Sequence, residues 1–207
     1  MNYGLLPYFE EFWTSDNNDP FQRVFIQWGT SYFFPSNAMA QHIAHSPYWN
    51  TGRTSPIKYR TDVAMSGRLG LELQPANMTP EEREQTKRAI SDYKKIRDIV
   101  QLGNLYRLVS PFDENLSSFL YTNDAKNRVV LFAHLVKYLY NMVIPRIRLA
   151  GLDASKNYRI REINVKINDR PCYLDGKIVS GKLLMEAGLN IPLEKDYASR
   201  VFELTAE

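Results

Sequence analysis

Apolar positions along this chain follow two rhythms, with a change near Gly103. Before it, the clearest spacing is helical. Thr79 and Glu82 make a capping box with Pro80 at the first helical position, and Ile90, Tyr93, Ile96 and Val100 then share one face as far as Gly103. Glu84 and Arg88, four apart on the other face, read as a solvated pair. Asp19 as N-cap followed by Pro20 predicts an earlier helix, from about residue 20 to residue 32. The apolar run from Tyr3 to Leu6, closed by Pro7, reads as a short strand. Residues 32–34 read as a strand or strand-like turn, and residues 61–73 as a strand with Asp62-Val63-Ala64-Met65 buried. Past Gly103 short β-like runs take over at 119–121, 128–134 and 144–149, divided by turn residues at Asp113-Glu114-Asn115, Asn123-Asp124-Ala125-Lys126-Asn127 and Asp175-Gly176. Two units are expected, an α/β unit over residues 1–103 and an all-β unit over 104–207 whose spacing suits an antiparallel sandwich.

The polar stretch Trp13-Thr14-Ser15-Asp16-Asn17-Asn18-Asp19-Pro20, with Arg23 one turn into the helix, lies between the first expected strand and that helix. In an α/β barrel, loops at the C-terminal ends of strands carry the chemistry. Asp16 falls in the loop, where it either serves a site or caps a turn through its own backbone. N-cap duty accounts for Asp19, and an Asp19–Arg23 pair would brace the loop. Trp13 offers an aromatic face to a sugar or to a core. Residues 45–56, rich in Ser, Pro, Asn, Thr and Gly, read as a long loop over the same mouth. His42 and His45 share a helix face if that segment is helical. With no nearby carboxylate or third histidine they do not meet the ligand count of a zinc site, and His134 reads as structural within an alternating strand.

Several ordered segments carry a resemblance. Residues Trp13 to Arg23 are similar to the Ser-Asp-x-x-Asp-x-x-x-Arg signature of the α-galactosidases of glycoside hydrolase family 36. Gln27-Trp28-Gly29-Thr30-Ser31, Asp62 to Gly70, Lys95 to Gly103, Ser110-Pro111-Phe112-Asp113 and Ile178 to Met185 resemble that family in the same order. The resemblance implies the C-terminal portion of a (β/α)8 TIM barrel followed by an antiparallel β-sandwich domain. It implies a retaining glycosidase acting on terminal α-linked galactose, with Asp16 as general acid/base, Trp13, Asp19 and Arg23 at the substrate, α-galactoside oligosaccharides as substrates and no cofactor or metal. By the same resemblance residues 61–73 are the last barrel strand, and Ser66-Gly67 opens onto the catalytic face. Transglycosylation or action on α-linked N-acetylgalactosamine is a variant of that reading.

A retaining mechanism uses two carboxyl groups about 5 Å apart. The Lys-Trp-Asp tripeptide that carries the nucleophile in the family occurs nowhere in these 207 residues, and a full barrel takes about 250 residues. Met1-Asn2-Tyr3-Gly4 begins inside a segment that the family extends further back, and Asn2 stands where relatives tend to have an acid. The expectation is a C-terminal part of an α-galactosidase (a truncated gene product, a split reading frame or an excised piece) that lacks the nucleophile and is inactive alone. The alternative is a noncatalytic carbohydrate-binding or structural remnant. Barrel strands left without neighbours predict association, with itself or with a complementary N-terminal part.

Composition narrows the classes. With 44% apolar and 24% charged residues the chain is an ordinary globular one. A net charge of +3 without a basic run gives nucleic-acid binding no support. Cys172 is the only cysteine, which excludes a disulfide within the chain. No run approaches the roughly 18 to 20 apolar residues of a membrane span, and nothing at the start reads as a signal peptide, so the compartment stays unassigned.

Overall fold

The computed structural model describes residues 3–207, so the expectation placed on Asn2 lies outside the described residues. The fold is helical and parallel first, antiparallel second. Helix α1 (Pro20–Thr30) is followed by strand β1 (Ala40–Ala44), helix α2 (Ile57–Ala64), strand β2 (Arg68–Glu72) and the long helix α3 (Pro80–Leu102). β1 and β2 run parallel, Ala40 beside Arg68 through Ala44 beside Glu72, and Phe12 adds a single parallel bridge to Met39 on the other side of β1. Two parallel strands and one bridging residue, with helices between them, are consistent with the end of an α/β barrel.

The second half is one six-stranded antiparallel sheet. β3 (Asn104–Val109), β4 (Leu116–Thr122), β5 (Arg128–Leu135), β6 (Asn157–Ile163), β7 (Ile178–Ser180) and β8 (Ser199–Ala206) lie in the order β3-β4-β5-β8-β6-β7, with the short helix α4 (Gly181–Glu186) after β7. Strand alternation sends successive side chains to opposite faces. Val129, Leu131, Ala133 and Leu135 pack beneath the sheet with Ile147, Leu149, Leu174, Leu184 and Leu189 from the connecting segments. Val130 and Phe132 face the other way, against Ala89, Tyr93, Ile96 and Val100 of α3 and Trp28 of α1. The second layer of the expected sandwich is therefore supplied by coil and α4 on one face and by α3 on the other.

Several local expectations change. Residues 3–5 form a 3-10 turn, and the first parallel strand contact comes later, at Phe12. Helix α1 stops at Thr30, and residues 32–34 are a turn without strand pairing. Asp62 to Ala64 are helical: α2 buries Tyr59 and Val63, four apart, in one cluster and Ile57 and Ala64, seven apart, in another, and β2 begins only at Arg68. Ser66 and Gly67 consequently precede β2 and sit at the end of the strand opposite the loops. Gly67 is there for close packing, since a Cβ would come 2.4 Å from Gln41 Cγ. His42 belongs to β1, which removes the shared helix face with His45. Residues 144–149 hold one antiparallel bridge, Ile147 to Leu189, and no strand. Glu84 pairs with Lys87 at 2.7 Å, and Arg88 donates instead to the Val165 carbonyl. The capping box at Thr79 forms as expected, and Gly103 ends α3 where a Cβ would lie 2.4 Å from the Ile99 carbonyl oxygen.

Buried polar groups join the two halves. Asp62 on α2 is fully buried; its carboxylate accepts from Ser199 Oγ at 2.7 Å and Asn164 Nδ2 at 2.6 Å and is ion-paired with Lys58. Asn164 follows β6 at φ 49°, a left-handed conformation that Asn tolerates. Its Nδ2 also reaches Thr61 Oγ1 at 2.9 Å, its side-chain oxygen accepts from Gln85 at 2.7 Å, and its amide donates to Asp92 at 2.9 Å. Removing one partner from a buried ionic cluster costs about 3–5 kcal/mol because the others stay desolvated. Asp62→Ala should therefore lower the unfolding free energy by about that much, measured by urea denaturation of this chain.

Across the helix-facing side of the sheet, Ser117, His134 and Ser199 stand side by side on β4, β5 and β8. His134 is fully buried, neither ring nitrogen has a hydrogen-bond partner among the described residues, and burial pushes its pKa down to about 3. A base whose folded pKa lies below its unfolded value of about 6.5 favours the folded state fully above that pH and loses that contribution as pH falls toward the folded value. Stability should decline between about pH 6.5 and pH 3, and His134→Leu should flatten that part of a pH series of thermal melts.

Candidate active site

Parallel strands point their C-terminal ends the same way, so the segments after Phe12, β1 and β2 meet at one edge. These are residues 13–19, 45–56 and 73–79. The side chains of His42 and Glu72, with Gly70 between them in register, share the strand face opposite Ile43 and Leu69, which pack toward α2. Trp13 joins that face by meeting the His42 ring edge-on at 4.3 Å. Gly70 is required there, because a Cβ would stand 2.4 Å from the His42 ring. Burial holds the His42 pKa below its usual value, opposed in part by Glu72.

The 13–19 loop divides its two acids sharply. Asp19 is fully buried: it caps α1 by accepting from the Phe21 amide at 3.0 Å, accepts from Thr51 Oγ1 at 2.7 Å and is ion-paired with Arg53. Asp16 is exposed, and among the described residues its carboxylate makes no hydrogen bond or ion pair. Its backbone carbonyl accepts from Tyr48 Oη at 2.9 Å, and the same hydroxyl receives the Asn18 amide at 2.8 Å. The loop is thus held by its backbone while the Asp16 side chain stays free.

Arg23 does not pair with Asp19 as the helical spacing suggested. The Asp19 carboxylate turns to the Phe21 amide and out to residues 51 and 53, while the Arg23 Nε donates to Asn18 Oδ1 at 2.9 Å and its Nη1 to Thr14. Its Cζ lies 5.3 Å from the centre of the Trp13 ring, and Asn18 passes the contact on to Glu72. Only 1% of Arg23 is exposed, and burial pulls its pKa down to about 10 despite Tyr48, Glu72 and Asp16 nearby. Of the four residues singled out in the sequence, Asp16 and Trp13 reach the surface, whereas Asp19 and Arg23 lie behind them. Tyr48, Thr51, Arg53 and Glu72 were not foreseen. Each sits more than 25 residues from its partner, and no local spacing announces such a pairing.

Next to this edge, His45, Pro47, Glu72, Gln74 and Asn77 line a cleft of about 670 Å³. Among the described residues no group of histidine, cysteine and carboxylate side chains is arranged to hold a metal ion.

A polar loop with an exposed carboxylate thus lies at the C-terminal edge of parallel strands that lead into an antiparallel β domain, an arrangement that fits the end of an α/β barrel. Residues 1–103 match the Melibiase family model, and residues 116–204 match the Glycosyl hydrolase family 36 C-terminal domain. The chain belongs to glycoside hydrolase family 36. A probable α-galactosidase G of Emericella nidulans is 39% identical over 96% of this chain, which corresponds to 26% of that protein. The crystal structure of α-galactosidase AgaB of Geobacillus stearothermophilus superposes with a TM-score of 0.88 at 33% identity, over 99% of this chain and 27% of that one. A substituted AgaA from the same organism, in complex with stachyose, gives 0.89 at 33% identity over the same shares. The chain spans about a quarter of the length of these relatives.

Tyr48 closes the loop with two hydrogen bonds, each worth about 1 kcal/mol net. Tyr48→Phe should destabilise the chain by about 1–2 kcal/mol and speed hydrogen exchange at the Asn18 amide, while exchange in β4 and β5 changes only in step with global stability.

Proposed function

We propose that this chain carries the acid/base side of a retaining α-galactosidase active site, with Asp16 as the group that protonates the departing glycosidic oxygen and then deprotonates water. The observation that carries this is the contrast between the two acids of the 13–19 loop: Asp19 is buried and committed to three partners, and Asp16 is exposed and free. Trp13, 36% exposed and in a T-shaped contact with His42, offers aromatic surface to the galactose ring. Asp19 and Arg23 support the site from behind, holding the loop that presents Asp16. The second carboxylate, about 5 Å from the first in a retaining enzyme, comes from residues outside this chain. The chain divides at Gly103 into a barrel part, 1–103, and a β domain, 104–207, the latter for packing. α-Galactoside oligosaccharides such as stachyose are the substrates.

One feature of the fold supports a complementary N-terminal part as partner. β2 pairs only with β1 among the described residues, Leu71 on it is 47% exposed, and Tyr8 and Phe9 are more exposed still. An unpaired parallel edge beside apolar side chains favours association. A second reading, a sugar-binding remnant without catalysis, is favoured by the lack of the Lys-Trp-Asp tripeptide.

Hydrolysis of p-nitrophenyl α-galactoside distinguishes the two. The chain alone should give no turnover, and mixing it with the N-terminal part of a family member should restore it. Asp16→Asn should then lower kcat by about 10²–10⁴-fold. Turnover indifferent to that change would remove Asp16 from the mechanism, and a well-behaved monomer by light scattering would count against the association.

A further inference from the structure

We propose that the Trp49 indole is the platform for the leaving-group sugars of the oligosaccharide, the units released on the Asp16 side of the scissile bond; this rests on the reading of Asp16 above. A general acid gives its proton to the oxygen that departs, so the first leaving-group sugar lies beside the acid. Tyr48 is the residue that fixes the Asp16 backbone, and the next side chain along the chain is an indole with its ring centre 5.9 Å from the Tyr48 ring. Tyr48 is buried at 1% exposure, and Trp49 is 67% exposed.

The turn that presents Trp49 is braced from several sides. The Gly52 amide donates to the Tyr48 carbonyl at 2.8 Å, and the Tyr48 amide donates to the Arg53 carbonyl at 2.9 Å. Gly52 takes φ +65°, a left-handed conformation suited to glycine. Thr51 and Arg53 bind Asp19, and the Ser55 amide donates to Ser46 Oγ at 3.0 Å. A loop held this firmly around an exposed indole keeps apolar area in water at a free-energy cost, and the rigidity is what lowers the cost of binding a ligand on it.

The size of the patch selects the occupant. Beyond Trp49 the turn offers only Asn50, Thr51 and Gly52, all exposed and none bulky and apolar. A stable protein interface buries about 800 Å² on each partner, whereas one flat ring with a polar rim matches the apolar C–H face and outward hydroxyls of a pyranose.

The test titrates the chain with stachyose and with galactose, following tryptophan fluorescence and saturation transfer to the saccharide protons. Trp49→Ala should weaken stachyose by at least about fivefold, an aromatic stacking contribution in ordinary range, and leave galactose unchanged, while Trp49→Phe keeps most of the affinity. Saturation transfer should reach the sugar units beyond the terminal galactose. Equal losses for both saccharides, transfer confined to the terminal galactose, or no stachyose binding by the unaltered chain would overturn the proposal. So would a Trp49→Ala variant whose sedimenting mass changes while its stachyose affinity does not, since the indole would then be a protein contact. These results stand apart from catalysis: turnover surviving Asp16→Asn sinks the acid/base assignment with the binding data intact, and Asp16-dependent turnover with stachyose binding indifferent to Trp49 sinks only this one.

Discussion

The buried carboxylate of Asp62 and the amide of Asn164 hold the molecule together. Helices α2 and α3 each have an apolar side, but apolar contact alone is non-directional and would let them slide over the sheet. Asn164 fixes the arrangement by binding Thr61 and Asp62 on one helix and Gln85 and Asp92 on the other. Ser199 of β8 completes it from the sheet. Each group was desolvated to get there, so each must find its partner, and that requirement selects one register of helix against strand.

Everything at the strand ends inherits that register. Because α2 is fixed on the sheet, β1 and β2 are fixed against α2 through Ile43, Ile57, Ala64 and Leu73, and the loops leaving them meet at a defined edge. There a second layer of constraints operates on loop backbones. Tyr48 ties two of them together, Arg53 and Thr51 bind the buried Asp19, and Arg23 with Asn18 and Glu72 links the first loop to the last strand. The side chains left exposed, Asp16, Trp13 and Trp49, stand on a frame that costs little further ordering when a ligand arrives.

Local signals in the sequence were legible where chemistry within a few residues decides the conformation. Thr79 with Glu82 started α3, Asp19 with Pro20 started α1, and Asn123 to Asn127 made the turn between β4 and β5. The reading failed where one residue type serves two structures. Asp62 to Met65 is apolar enough for a strand, yet α2 runs to Ala64, with Tyr59 and Val63 packed in one cluster and Ile57 and Ala64 in another, so a helix buried on two sides displays no single apolar stripe to betray it. β6 and β8 went unread, although Tyr158, Ile160 and Val201, Phe202 and Leu204 are buried in them. Charged residues between those positions lie on the sheet face that meets solvent or ion-pairs at its rim, as Glu203 does with Arg128.

For the site, the sequence by itself determined the family and the loop: the ordered motifs from Trp13 onward identified glycoside hydrolase family 36, and the polar stretch 13–19 located the candidate chemistry. It also set the two acids apart, giving Asp19 to the helix cap and Asp16 to the loop as the acid/base that the resemblance implies. Only the tertiary structure decided how each is held, burying Asp19 against Arg53 and Thr51, more than 30 residues away, and leaving Asp16 exposed. The physical reason is that capping and helical periodicity are interactions between near neighbours, which a sequence displays. Which carboxylate is desolvated depends on partners that only the folded chain brings within bonding distance.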